Sequence, residues 1–182
     1  DIGERNGLSG NAVSCFLEDK PGFLWVGTEN GGLNYFDVQK GSFKHYPFES
    51  KQQPLSYNNI HALHKDRLGN IWIGTFSGGL NILNPKTGVL KKYFHDKNDD
   101  TSLSSNSVYA ISEDRKGNIW VGTVKGLNIY DPQTDSFTRV NDMDLLNSCI
   151  YSIYEDNSGT IWVATYEQGL LGLNRYTNKW IR

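Results

Sequence analysis

The chain has 182 residues, of which 37% are hydrophobic, 13% aromatic and 21% charged; this is enough apolar material for a packed core and excludes intrinsic disorder. A formal net charge of −2 leaves no basic footprint for nucleic acid or anionic lipid. No apolar run approaches the roughly 18 residues of a membrane helix, and no charged start followed by an apolar stretch marks a signal peptide within the sequence.

In chain order, the first predicted strand covers Val13–Glu18, followed by Asp19 and Gly22 as turn residues and then by Leu24-Trp25-Val26-Gly27-Thr28. Asp can accept from backbone amides two residues on, and Gly takes the positive φ that closes a hairpin. Gly32-Leu33 opens a third strand, Leu33–Asp37, and Phe43–Tyr46 a fourth. The same order returns three times. Ile60–Lys65, Ile71–Thr75, Leu80–Asn84 and Val89–Tyr93 form the second copy, with Asn84-Pro85-Lys86-Thr87-Gly88 as a proline-led turn. Val108–Glu113, Ile119–Thr123, Leu127–Asp131 and Phe137–Val140 form the third. Ile150–Glu155, Ile161–Thr165, Leu170–Asn174 and Lys179–Ile181 form the fourth.

Trp25, Trp72, Trp120 and Trp162 are spaced by 47, 48 and 42 residues, each six residues after an Asp and three after a Gly. Four short strands at this period predict an all-β fold of β-propeller blades, at about 11–46, 58–93, 106–140 and 148–182, together one partial propeller domain over 1–182. The four tryptophans, and Trp180 by its register in the last strand, are expected in the core. No amphipathic helix is predicted, and the polar connections Pro47–Tyr57 and Phe94–Ser105 join units. Residues 1–10 are too short to add a closing strand. A four-blade chain therefore reads as part of a larger ring, and self-association is expected, two copies completing one ring.

The segment Lys65-Asp66-x-x-Gly69-Asn70-Ile71-Trp72-Ile73-Gly74-Thr75-x-x-Gly78-Gly79-Leu80-Asn81, matched nearly as well in the third copy from Glu113 to Asn128, resembles the two-component regulator propeller repeat. The resemblance implies the periplasmic sensor region of a Bacteroides-type hybrid two-component histidine kinase. There, two seven-bladed propellers precede a β-sandwich, a membrane helix and the kinase. It further implies that an oligosaccharide is the ligand and polysaccharide utilisation the regulated process. The fourth copy departs from the pattern with Ala164 for Gly, Leu171 for Asn and Thr160 for Asn. Kinase and receiver segments are not present, so no catalysis and no DNA binding are expected of this region.

The repeated pairs Glu18-Asp19, Glu113-Asp114 and Glu155-Asp156 recur at one turn, which points to structure, since an active site is normally built once. His45, His61, His64 and His95 have no metal spacing, and Asp96–Asp100 lacks the glycine and distal glutamate of a calcium loop. Cys15 and Cys149 lack C-x-x-C spacing; they read as small buried side chains, with a disulfide left open. No metal and no cofactor are expected. Function should lie where the copies differ, in the turns between second and third strands. The candidate ligand-binding residues are therefore Glu29, Asn30, Phe76, Ser77, Lys125, Tyr166 and Glu167, with Tyr109, Tyr151, His61 and His64 on first strands nearby. Aromatic faces beside carboxylates and amides suit a saccharide. The alternatives are a non-catalytic scaffold for dimerisation or protein contacts, and a propeller lyase or hydrolase, for which no unique catalytic constellation is found.

Overall fold

The computed structural model describes residues 7–46, 54–175 and 177–182. The start of the leader within 1–10, and most of the connection Pro47–Tyr57, lie outside the described residues. Four antiparallel four-stranded sheets form, each a plain meander. The first contains β1 (Val13–Lys20), β2 (Phe23–Thr28), β3 (Leu33–Asp37) and β4 (Ser42–Tyr46), and the second β5 (Ile60–Lys65), β6 (Ile71–Thr75), β7 (Leu80–Leu83) and β8 (Leu90–Tyr93). The third contains β9 (Val108–Glu113), β10 (Ile119–Thr123), β11 (Gly126–Asp131) and β12 (Ser136–Arg139). The fourth contains β13 (Ile150–Glu155), β14 (Ile161–Thr165), β15 (Leu170–Asn174) and β16 (Lys179–Ile181). These are propeller blades. The chain packs as two units, Asp1–Lys92 and Tyr93–Arg182.

Ile, Val and Trp dominate the second strands; in β6 and β10, covered on both faces, the period-2 alternation of a half-exposed strand disappears, while β14 stays partly open with Trp162 half-buried. Every residue of β6 and of β10 is buried. In the first unit Trp25, Leu33, Leu55, Ile60, Ile71, Ile73 and Leu83 make one core. In the second, Trp120, Leu127, Leu145, Ile150, Ile161, Val163 and Leu171 make another, and Trp180 packs against it while partly exposed. Within each unit the two sheets meet through an Ile on a glycine. A Cβ on Gly122 would stand 2.6 Å from Ile150 Cγ2, and one on Gly27 would stand 2.8 Å from Ile60 Cγ2. Overpacking of that kind costs about 1–3 kcal/mol.

The recurring Asp does more than turn the chain. Asp66 Oδ1 accepts from the backbone N–H groups of Leu68 and Asn70 at 3.0 and 2.8 Å, and Oδ2 accepts from the indole N–H of Trp72 at 2.8 Å. Asp114 repeats the pattern with Lys116, Asn118 and Trp120, and Asp156 with Ser158, Thr160 and Trp162. The carboxylate thus joins a hairpin turn to the ring that fills the core.

The first copy breaks the pattern, contrary to the uniform turn read from the sequence. Pro21 stands where the others offer the first N–H, and it has none to give. β1 runs on to Lys20, which pairs with Phe23 across a two-residue turn, and Asp19 becomes an extra residue in the strand. Its carboxylate meets Tyr35 Oη at 2.7 Å and Lys65 Nζ at 2.8 Å. Trp25 Nε1, in a residue only 2% exposed, is left with no hydrogen-bond partner among the described residues. Burial pushes the Asp19 pKa up, but the bonds from Lys65 and Tyr35 outweigh it and hold it below the ordinary value.

The substitutions of the fourth copy are also matched. Buried Asn34, Asn81 and Asn128 accept through Oδ1 from the backbone N–H of Ser9, Ser56 and Ser104, stapling each incoming segment to the third strand. Where Leu171 replaces Asn, the incoming pair is Leu145-Leu146 instead of Leu-Ser, and Leu145 and Leu171 are both buried apolar residues. The Asn acceptor is gone, and the Leu146 N–H donates instead to the carbonyl of Asp142 at 2.8 Å, leaving no orphaned donor.

Removing the carboxylate of the regular turn strands several buried donors at once. Asp66→Ala is expected to destabilise the protein by roughly 3–5 kcal/mol, read as a lowered urea midpoint; a change under about 1 kcal/mol contradicts this role.

Candidate ligand-binding surface

In a meander sheet the turn between second and third strands lies at the same end as the start of the first strand. That end is shaped by two local devices. A threonine closes each turn: Thr28, Thr75 and Thr165 Oγ1 donate to the carbonyl four residues on, and Thr123 donates to the one three residues on, where the turn is shorter. A β-bulge then opens each first strand. Val13 and Cys15 face consecutive residues Thr28 and Gly27, so Ser14 is extra; by the same register His61, Tyr109 and Tyr151 are the extra residues of the other sheets. Bulges re-aim side chains near binding sites. His61, Tyr109 and Tyr151 are among the residues expected near this end from the sequence, whereas Ser14 is not, and His64 pairs regularly with Trp72; the bulge itself has no sequence signature here.

The first unit places Glu29, Asn30, Phe76 and Ser77 exposed on their turns. It brings three side chains together. The rings of His61 and Phe76 stack at 5.6 Å and 28°, and the Glu29 carboxylate is close enough to act on the imidazole. Burial lowers the His61 pKa, and Glu29 opposes it without cancelling it. His61 is therefore a neutral donor and acceptor at pH 7. Ser14 contributes no ligand group, since its hydroxyl bonds the carbonyls of Gly27 and Ile60 between the two sheets.

The second unit carries a longer aromatic run. Tyr109 and Tyr151 meet edge to face at 5.5 Å, and Tyr151 and Tyr166 lie 6.1 Å apart. Tyr151 and Tyr166 are 50% and 70% exposed. Tyr166 is held by its N–H to the carbonyl of Cys149 at 3.0 Å. The Cys149 thiol is pushed up by burial, with Tyr151 beside it, so it is a poor nucleophile. Cys15 is likewise raised, to about 11, chiefly by burial; both cysteines are free thiols. Lys125 and Glu167 are exposed on their turns. The first unit thus offers a ring face, a neutral imidazole and a carboxylate, and the second offers exposed rings with Glu167 on the same turn; each set by itself suits a polar, ring-shaped molecule. Among the described residues no group of three His, Cys, Asp or Glu is placed to hold a metal ion.

The sheets and their repeated turns are those of propeller blades. Residues 7–30, 54–77, 102–125 and 144–167 match the family model of the two component regulator propeller, together more than half of the chain, and the protein belongs to that family. No curated protein sequence matches it. Among solved structures it is similar to the extracellular domain assigned to the hybrid two component system BT3049 from B. thetaiotaomicron, with 26% identity and a TM-score of 0.71 over 100% of this chain and 31% of that one. It is also similar to the extracellular domain assigned to the hybrid two component system BT4673 from the same organism, at 26% identity and TM-score 0.77 over 95% of this chain and 25% of that one. The chain therefore spans under a third of either. Virginiamycin B lyase from Staphylococcus aureus, at 14% identity and TM-score 0.69 over 97% of this chain and 56% of that one, shares the fold.

Because the folded pKa of His61 lies below its ordinary 6.5, charging this ring costs more in the folded chain than in the unfolded one. Its contribution to stability is present above that value and is lost as pH falls through the depressed one. Glu29→Gln removes the opposing charge, so the NMR-observed His61 midpoint is expected to drop further. An unchanged or raised midpoint contradicts the proximity.

Proposed function

We propose that this chain forms blades of the periplasmic sensor region of a hybrid two-component histidine kinase, and that the turn face of those blades takes an oligosaccharide. The reading is carried by the aromatic run Tyr109, Tyr151 and Tyr166, the last two exposed, on a chain of this family. Sugar rings present apolar C–H faces that stack on aromatic rings, while their hydroxyls take up carboxylates and amides. Lys125 and Glu167 supply further groups of that kind in the same unit, and His61 with Phe76, Glu29, Asn30 and Ser77 form a set of their own in the first unit. The solved extracellular domains of B. thetaiotaomicron support the placement outside the cytoplasm. The signal passes to downstream kinase parts through changes in blade packing.

Isothermal titration of the whole sensor region with a library of neutral oligosaccharides tests the reading. At least one is expected to bind, and Tyr151→Ala with Tyr166→Ala to weaken it about tenfold. If no saccharide binds, or the double variant binds unchanged, the assignment of this face fails. A second reading, a scaffold for contacts between chains, is favoured by Phe16 and Tyr154, 73% and 62% exposed on first strands. Phe16→Ser with Tyr154→Ser shifting the sedimentation mass, at unchanged saccharide affinity, selects that reading.

A further inference from the structure

A groove of about 650 Å³ runs between the first and second sheets, at the end opposite the candidate surface. Its size falls within the range of small-molecule sites. Lys20, Lys44, Lys65, Arg67 and Lys86 line it against a single carboxylate, Asp19. This concentration of positive charge sits on a chain whose net charge is −2. Trp25, Tyr35 and Tyr46 make part of the remaining wall aromatic, beside Leu68, Gly69 and Pro85. Tyr35 lies 4.4 Å and Tyr46 5.4 Å from the Trp25 ring, and Lys44 Nζ stands 4.8 Å above Tyr46.

The fold does not require this composition, because the second unit builds the corresponding place differently. Ile129 pairs with Trp120 as Tyr35 pairs with Trp25, and Thr138 takes the register of Lys44. Val140 stands where Tyr46 does, bonded to Leu127 as the neighbour of the third strand. Glu155 takes the register of Lys65. There Arg175 closes on Asp114 at 2.7 Å, and Trp120 gives its indole N–H to the same carboxylate. In the first unit Pro21 has displaced Asp19 from Trp25, so a buried donor in the groove wall lacks the acceptor its three counterparts have. The excess of ammonium and guanidinium groups over carboxylates in the lining favours an incoming anion.

We propose that this groove is a second ligand site, specific for a ring-bearing organic anion: the carboxylate meets Lys44, Lys86 and Arg67, and the ring lies along Tyr35 and Tyr46. Lys65 stays on Asp19 and joins the two sheets that form the walls, so occupation of the groove bears on how those sheets pack. The site is independent of the oligosaccharide face, which is built at the other end of the sheets.

The test uses the 182-residue chain with three probes, D-glucuronate, 4-hydroxybenzoate and D-glucose, followed by NMR at the assigned Trp25 indole N–H and by titration at two salt concentrations. The two anions separate a sugar acid from an aryl acid as the source of the ring, and glucose reports on the charge. At least one anion is expected to shift the Trp25 resonance saturably and to weaken as salt rises. Lys44→Gln with Lys86→Gln, both on exposed positions, is expected to weaken it about tenfold, while Tyr151→Ala with Tyr166→Ala leaves it unchanged. The proposal is overturned if neither anion binds, if glucose binds equally well, or if the lysine variant binds as the parent does. Loss of binding in the tyrosine variant alone would move the anion to the other face and equally overturn it.

Discussion

In three of the four copies one carboxylate holds the blade together. It takes two backbone N–H groups of its own turn and the indole N–H of a tryptophan six residues on, so the hairpin and the position of the largest core ring are set in the same contact. A buried carboxylate survives only when its donors repay the loss of water. Asp114 shows the balance: burial raises its pKa, yet Asn118, Trp120 and Arg175 together hold it below the ordinary value. The arrangement depends on a backbone N–H at the second position after the Asp. With Pro21 there, the same carboxylate leaves its tryptophan and binds Lys65 of the next sheet. A contact within one sheet becomes a contact between two.

The copies conserve what closes the turns and vary what the turns display. Threonine hydroxyls cap the carbonyls of all four turns between second and third strands, so the residues at the tips are free to change. The bulge at the start of each first strand adds one more variable position, occupied by Ser14, His61, Tyr109 and Tyr151. Ser14 is spent on joining sheets, and the other three turn their rings to neighbours on the same end. Chemistry is thus collected at one edge of each sheet without disturbing the ladder.

Most of the fold was legible in the residues. The period of the tryptophans, the Asp and Gly offsets and the β-branched second strands led to four-stranded sheets with strands within a residue or two of those observed. Larger misses came where one residue altered a register. β1 runs two residues further than its turn chemistry suggested, because a proline is a missing donor as well as a turn former. The candidate surface was legible as a set of variable turn tips, and the structure places all seven of those residues exposed at turns. Which of them touch was not legible. His61 with Phe76, and Tyr151 with Tyr166, come from different strands, and the bulge that turns His61 and Tyr151 leaves no mark in a single sequence.

The sequence by itself determined the architecture, since hydrophobic period, turn residues and the Asp-to-Trp spacing are local and repeated four times. It also determined the absence of an Asn staple in the fourth copy, as Leu146 stands for the Ser and Leu171 for the Asn. Tertiary structure alone decided where each polar group found its partner. Pro21 releases Asp19 from Trp25, but only the packing of the second sheet against the first brings Lys65 within 2.8 Å of the freed carboxylate. The basic, aromatic groove depends on that choice. Its residues are scattered from position 19 to position 86, and their charges become one field only when two sheets fold side by side.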